Sequence, residues 1–174
     1  MLAIRDLYSE IGVEEYYSEC HLDYKNPHES IIKTLIEKAK NDRLIGKNVL
    51  DLCCGTGEVT QLLKGYNVTG VDPYMSKAYF NRTGKEALNL SFKDIVEGCL
   101  KDKFDTIICS FALHLCPKSM LPYLLWNLGE CAKTLIVISP NKRPDCDSVS
   151  GWMLVDEYIE KRIRMKIYMR SMIT

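Results

Sequence analysis

Apolar positions along the chain switch between two periods. In "NPHESIIKTLIEKAKNDRL", Ile31, Ile32, Leu35, Ile36 and Ala39 recur at helical spacing. Asn26 is placed as its N-cap, Pro27 as its first helical residue and Glu29 as a capping-box acid. Short apolar runs of strand length then alternate with helical stretches. "NVLDLC" reads as a strand, "EVTQLLKG" as a helix closed by Gly65, and "NVTGVD" as a second strand. "MSKAYFNRT" is a short helix and "LNLSFKD" a third strand. "FDTIICSF" is a fourth strand running into "ALHL", and "SMLPYLLWNLGECAK" is a helix interrupted near Pro122. "TLIVISP" is a fifth strand. Such alternation predicts an α/β fold, doubly wound around a mostly parallel sheet.

The tail keeps a different rhythm. Ile163, Met165, Ile167 and Met169 alternate with Arg162, Arg164, Lys166, Tyr168 and Arg170. Period two predicts a strand with one wet face. "GWMLVDEY" is its hairpin partner, so the sheet gains a terminal antiparallel strand. Trp152, Val155 and Ile159 also fit helical spacing, but the hairpin fits the longer alternation better. Between the fifth strand and this hairpin, "NKRPDCDSVSG" has no helical period. With no helix to cover the sheet there, the basic row Arg162, Arg164, Lys166 and Arg170 is expected on a bare, wet face. It keeps that face soluble and guards against stray pairing, or it meets an anionic partner such as RNA or an acidic protein, with Lys142 and Arg143 extending the patch.

At 174 residues, with no repeat and no Pro/Gly-rich linker, the chain fits a single domain over 1–174. An N-terminal helical segment over 1–45 precedes a core over 46–174. Lys+Arg and Asp+Glu both number 23, so bulk attraction to nucleic acid or membrane is not expected. No apolar run is long enough to span a bilayer, and the N-terminus lacks the pattern of a signal peptide. Eight cysteines lie partly inside apolar runs and form no CxxC pair, so reduced thiols and a cytoplasmic or nuclear location are expected, with no metal site.

The chemistry concentrates in "VLDLCCGTGEV". A parallel sheet binds ligands beyond the carboxyl ends of its strands. Gly55 and Gly57 permit a sharp turn and close ligand approach there. The third glycine of a dinucleotide fingerprint is missing, and Asp51 and Glu58 would repel a pyrophosphate. That disfavours a nicotinamide-dependent oxidoreductase and suits a ligand carrying a cationic group. Asp51 and Asp72 each have a structural reading, as a turn cap and as a turn starter before Pro73. Their joint place at the ends of successive strands favours a ligand site.

Asp51-Leu52-Cys53-Cys54-Gly55-Thr56-Gly57 resembles motif I of the class I S-adenosylmethionine-dependent methyltransferases, with Cys53 in place of the first glycine. "VTGVDP", "SFKDI", "FDTIICSFALHLCP" and the terminal "GW" hairpin follow in the order of that family. The resemblance implies a Rossmann-like fold and S-adenosylmethionine as cofactor. It implies a cofactor site of Asp51, Cys53, Gly55 and Gly57, of Asp72 on the ribose hydroxyls, and of Asp94, Ile95 and Ser110 lining the remainder. His114, just past the fourth strand, is the candidate base, against a plain packing role. His28 reads as a solvated first-turn residue. The N-terminal segment, in many members a lid, and its tyrosines Tyr16, Tyr17 and Tyr24 precede the core. Ser110-Phe111-Ala112 stands where enzymes that methylate planar amides and adenine amines carry an Asn-Pro-Pro-Tyr-like motif. The acceptor is otherwise open among small molecules, RNA and protein, with small molecules favoured. A catalytically inactive scaffold of the same fold is the alternative.

Overall fold

The computed structural model describes residues 26–147 and 151–171. Seven strands form one sheet in the order β3-β2-β1-β4-β5-β7-β6. They are β1 (Asn48–Leu52), β2 (Asn67–Val71), β3 (Ala87–Leu88), β4 (Thr106–Ser110), β5 (Thr134–Ser139), β6 (Trp152–Glu160) and β7 (Ile163–Arg170). The first five run parallel, while β7 is antiparallel to both β5 and β6. The helices are α1 (Glu29–Asn41), α2 (Glu58–Leu62), α3 (Ser76–Thr83), α4 (Phe92–Val96) and α5 (Leu121–Cys131). This is the expected doubly wound α/β architecture with a terminal antiparallel hairpin. None of the helices among the described residues is long and apolar enough to cross a membrane.

Strand alternation sorts the core into two layers. Val49, Ile108, Ile136, Ile163, Met165 and Ile167 face α1 and α2, against Ile32, Leu35, Ile36 and Val59. Leu50, Leu52, Ile107, Cys109, Leu135 and Val137 face the other way, against Ile95 of α4 and Leu124, Leu125 and Leu128 of α5. Burying each such Ile or Leu is worth about 1.5–3 kcal/mol. The same alternation sends the side chain of Asp51 towards α2, the side of Val49.

Four expectations need correction. α1 begins at Glu29 with His28 as its cap residue and no side-chain cap. Asn26 acts one turn earlier, its Oδ1 accepting the His28 N–H at 2.9 Å. "LNLSFKD" is not one strand: β3 ends at Leu88 and Ser91 caps α4. Pro122 does not interrupt α5 but lies in its first turn, where a missing N–H costs nothing. The face of the basic row is not bare. Asn141–Asp147 packs over it without a helix, with Cys146 and Tyr168 fully buried.

The hairpin itself is as expected. Its two-residue turn, Lys161-Arg162, has both residues at positive φ (46° and 72°). That twist matches the flanking strands. Of the N-terminal segment 1–45, the described part holds α1; the possible lid and its tyrosines lie outside the described residues.

Candidate functional site: a cavity at the carboxyl ends of β1, β2 and β4

A cavity of about 310 Å³ opens where the chain leaves β1, β2 and β4. Its floor is the turn after β1. Cys53 (φ 55°), Gly55 (φ 54°) and Gly57 (φ 93°) adopt left-handed backbone conformations there. Gly57 is obligatory: a Cβ at that position would stand 2.5 Å from Thr83 Cγ2 and 3.1 Å from the Tyr79 ring. Cys53 accepts the strain that glycine would avoid. Cys53 lines the cavity, and the neighbouring Cys109 together with burial pushes its thiol pKa well up, so that it stays protonated.

Asp72 is 7 % exposed and reaches the cavity from the end of β2. Its Oδ2 accepts the Gly55 N–H at 3.1 Å, and Oδ1 accepts those of Tyr74 (2.9 Å) and Met75 (3.0 Å). One carboxylate thereby ties the β1 turn to the β2 turn. A carboxylate offers about four lone-pair sites, so acceptor capacity remains for a ligand hydroxyl. Burial raises its pKa and the three amides oppose the rise.

Asp51 sits beneath the turn rather than in the cavity wall, 1 % exposed. Its Oδ2 accepts from Thr60 N (3.1 Å) and Thr60 Oγ1 (2.7 Å). With that hydroxyl proton spent on Asp51, Tyr79 OH donates to Thr60 Oγ1 at 3.0 Å. Burial, more than anything else, raises the Asp51 pKa to about 7. Nearby, Glu58 lines the cavity and accepts from Thr56 Oγ1 at 2.7 Å. Arg82 pairs with Glu58 at 3.6 Å and with Glu29 of α1. The floor therefore gathers Asp51, Glu58 and Asp72, with Arg82 balancing one of them.

The remaining walls are largely apolar. Leu90, Phe92 and Ile95 come from the β3–α4 region, and Ser110, Phe111 and Ala112 from the end of β4. Asp94 is absent from this wall. Its Oδ2 accepts from Ser91 N (2.7 Å) and Ser91 Oγ (2.6 Å) in a capping box, which holds its pKa below the usual carboxylate range. Ile95, one residue on, does line the cavity. His114 lies on the 3₁₀ turn Leu113–Leu115; its neighbour Leu115 lines the cavity, whereas His114 is exposed, and desolvation pushes its pKa down. The structure thus gathers Cys53, Gly55, Asp72, Ile95 and Ser110 around one space. It places Asp51 and Gly57 under that space, and Asp94 and His114 outside it.

Sequence reasoning missed the opposite rim. His28 stacks on Phe111, ring centroids 4.8 Å apart and planes 3° from parallel. No local pattern links residues 83 positions apart. The signal for the α4 cap was there, in "SFKD", which is a capping-box pattern. On β7, Arg164 pairs with Glu157 at 3.0 Å, Lys166 with Asp145 at 3.7 Å and Arg170 with Glu130 at 3.4 Å.

Comparison with known proteins agrees with this geometry. A family model described as a methyltransferase domain matches residues 25–162. An uncharacterized protein of Schizosaccharomyces pombe is 28% identical, over 86% of this chain and 79% of its own length. Among solved structures, magnesium protoporphyrin IX methyltransferase from Synechocystis with bound S-adenosylhomocysteine superposes with a TM-score of 0.66, at 17% identity, covering 97% of this chain and 98% of that one. The 1,6-didemethyltoxoflavin-N1-methyltransferase of Burkholderia thailandensis gives a TM-score of 0.71 at 12% identity, covering 98% and 92%. With the family model spanning well over half of its length, this chain belongs to the methyltransferase domain family and carries the fold of the class I S-adenosylmethionine-dependent methyltransferases.

Proposed function

We propose that the cavity binds S-adenosylmethionine and that the chain transfers its methyl group to a small organic acceptor. The observation that carries this reading is Asp72, a buried carboxylate at the end of β2 that faces the cavity with acceptor capacity to spare. The donor set fits the cofactor. Asp72 would hold the ribose hydroxyls, Leu90, Phe92 and Ile95 would pack the adenine, and the turn at Cys53–Gly57 would carry the amino-acid part. Glu58 and, once ionised, the buried Asp51 would add negative potential suited to a cation. Bound S-adenosylmethionine supplies a methyl group on a positively charged sulfur, released when a nucleophile's lone pair takes the carbon. The chain's own part is to bind, orient and exclude water.

Ser110 completes the wall at the tip of β4. His114 would serve an acceptor only if the acceptor extends out of the cavity past Leu115. A small acceptor is favoured over RNA, because Arg164, Lys166 and Arg170 of the basic row are already paired with acids. Seven free thiols among the described residues, with Cys54, Cys109, Cys116, Cys131 and Cys146 buried, support a reducing, cytoplasmic setting.

The test is methyl transfer from labelled S-adenosylmethionine into fractionated small molecules, RNA and protein. Label in a small-molecule fraction is expected. Tight cofactor binding with no labelled fraction would favour an inactive scaffold, and label confined to RNA would overturn the choice of acceptor.

A further inference from the structure

Phe111 has an unusual backbone for its size. It stands at φ +57°, a left-handed conformation that a bulky side chain rarely adopts. Strain of this kind persists only where the surroundings enforce it, and it collects at functional sites. Two contacts enforce it here. The Phe111 N–H donates to the Ile138 carbonyl at 2.8 Å, and the ring lies parallel to the His28 imidazole, centroids 4.8 Å apart. His28 is fixed in turn by Asn26 Oδ1 on its backbone N–H and by the start of α1 at the next residue.

Phe111 also lines the cavity. One ring face lies against His28, and the residue also packs against the apolar layer shared with α1 and α2. Its companions on that wall are Ala112, Leu115, Pro117 and Met120, all apolar. Among the described residues, one cationic side chain borders the cavity, Lys93, which is 73% exposed and pairs with Glu97. An anionic acceptor would meet no buried positive charge. A charged acceptor of either sign would lose hydration against an apolar wall. A flat uncharged ring loses little and gains a stacking partner.

We propose that the methyl acceptor is a flat, uncharged aromatic or heteroaromatic small molecule that stacks on Phe111, and that His28 is the positioning residue holding that ring in place. A ring held by its face presents its edge, where oxygen and nitrogen substituents sit. This deepens the cofactor reading above and rests on it.

The experiment uses the full chain saturated with S-adenosylhomocysteine, and ligand-observed NMR titrations with three probes. Quinoline as its neutral base is flat and uncharged, cyclohexanol is uncharged but not flat, and benzoate is flat but anionic. Quinoline is expected to bind best. Phe111→Leu and His28→Ala should each weaken it about tenfold, and His28→Phe should restore it, since a phenyl ring rebuilds the stack. S-adenosylhomocysteine binding by calorimetry should persist in all three variants, which also reports that they fold. Quinoline affinity unchanged in Phe111→Leu, no rescue by His28→Phe, or equal binding of the three probes would overturn the proposal. Failure of S-adenosylhomocysteine to bind the unaltered chain would instead overturn the cofactor reading, and this proposal with it.

Discussion

The two ends of the cavity are built by different rules. The floor at the tips of β1 and β2 is made of turns, acids and backbone amides: Gly55, Glu58 and Asp72, with Asp51 beneath. The rim past β4 is made of rings and aliphatic side chains: Phe111, Ala112, Leu115 and Met120. The floor is a hydrogen-bonded knot in which each group is fixed by several others. The rim is a packed surface set by one stack and one strained residue. A knot of that kind suits a ligand that never changes, whereas a packed surface is free to differ with the acceptor.

The largest expected effect falls on the floor. Asp72→Ala removes the carboxylate that accepts the Gly55, Tyr74 and Met75 N–H groups, and with it the proposed acceptor for the ribose. Its affinity for S-adenosylmethionine should drop by about 100-fold or more in calorimetry. Phe111→Leu, at the rim, should leave that affinity nearly unchanged. Equal losses from the two variants would erase the distinction between the ends.

Next comes the turn itself. Gly57→Ala combines positive φ with a Cβ 2.5 Å from Thr83 Cγ2. Urea denaturation should show a loss of about 2–4 kcal/mol. An unchanged midpoint would mean that α3 yields and the turn is not locked.

The floor should also carry a pH signature. Asp51 has an ordinary pKa of 3.8 and is raised to about 7 by burial, helped by Glu58 and opposed by Thr60. Between those values the unfolded chain gives up its proton while the folded chain keeps it. The contribution of Asp51 to stability therefore falls as pH rises from about 4 to about 7 and is level above, by a few kcal/mol at most. Asp51→Asn should flatten that slope and stabilise the protein at about pH 8, measured by chemical denaturation. Over the same range, ionised Asp51 should favour the cationic cofactor, so S-adenosylmethionine should bind more tightly as pH rises through about 7.

The smallest effect is expected on β7, outside the cavity lining. Arg164→Ala breaks a partly exposed pair with Glu157 and should cost less than about 1 kcal/mol, with cofactor affinity untouched.

What the sequence revealed divides along the same line. The floor is a run of consecutive residues, 51 to 58, followed by Asp72, and its glycines and acids speak for themselves. The parallel direction of the first five strands followed from apolar runs separated by helical periods. The rim was illegible because His28 and Phe111 meet only through the fold. Asp94 was misplaced because an acid after an apolar run looks the same as ligand or as cap; only Ser91, three residues earlier, distinguishes them. The basic row was misjudged because its acids, Asp145, Glu130 and Glu157, come from three separate segments. The turn at Lys161-Arg162 carries no glycine or asparagine, so its positive φ values had no herald.

The central claim is most directly tested by a crystal structure of the chain with S-adenosylhomocysteine. The account predicts the ribose hydroxyls on the carboxylate of Asp72 and the adenine against Ile95, with the Gly55–Gly57 turn beneath the amino-acid part. A nucleoside bound elsewhere, with Asp72 still bonded only to its three amides, would contradict it.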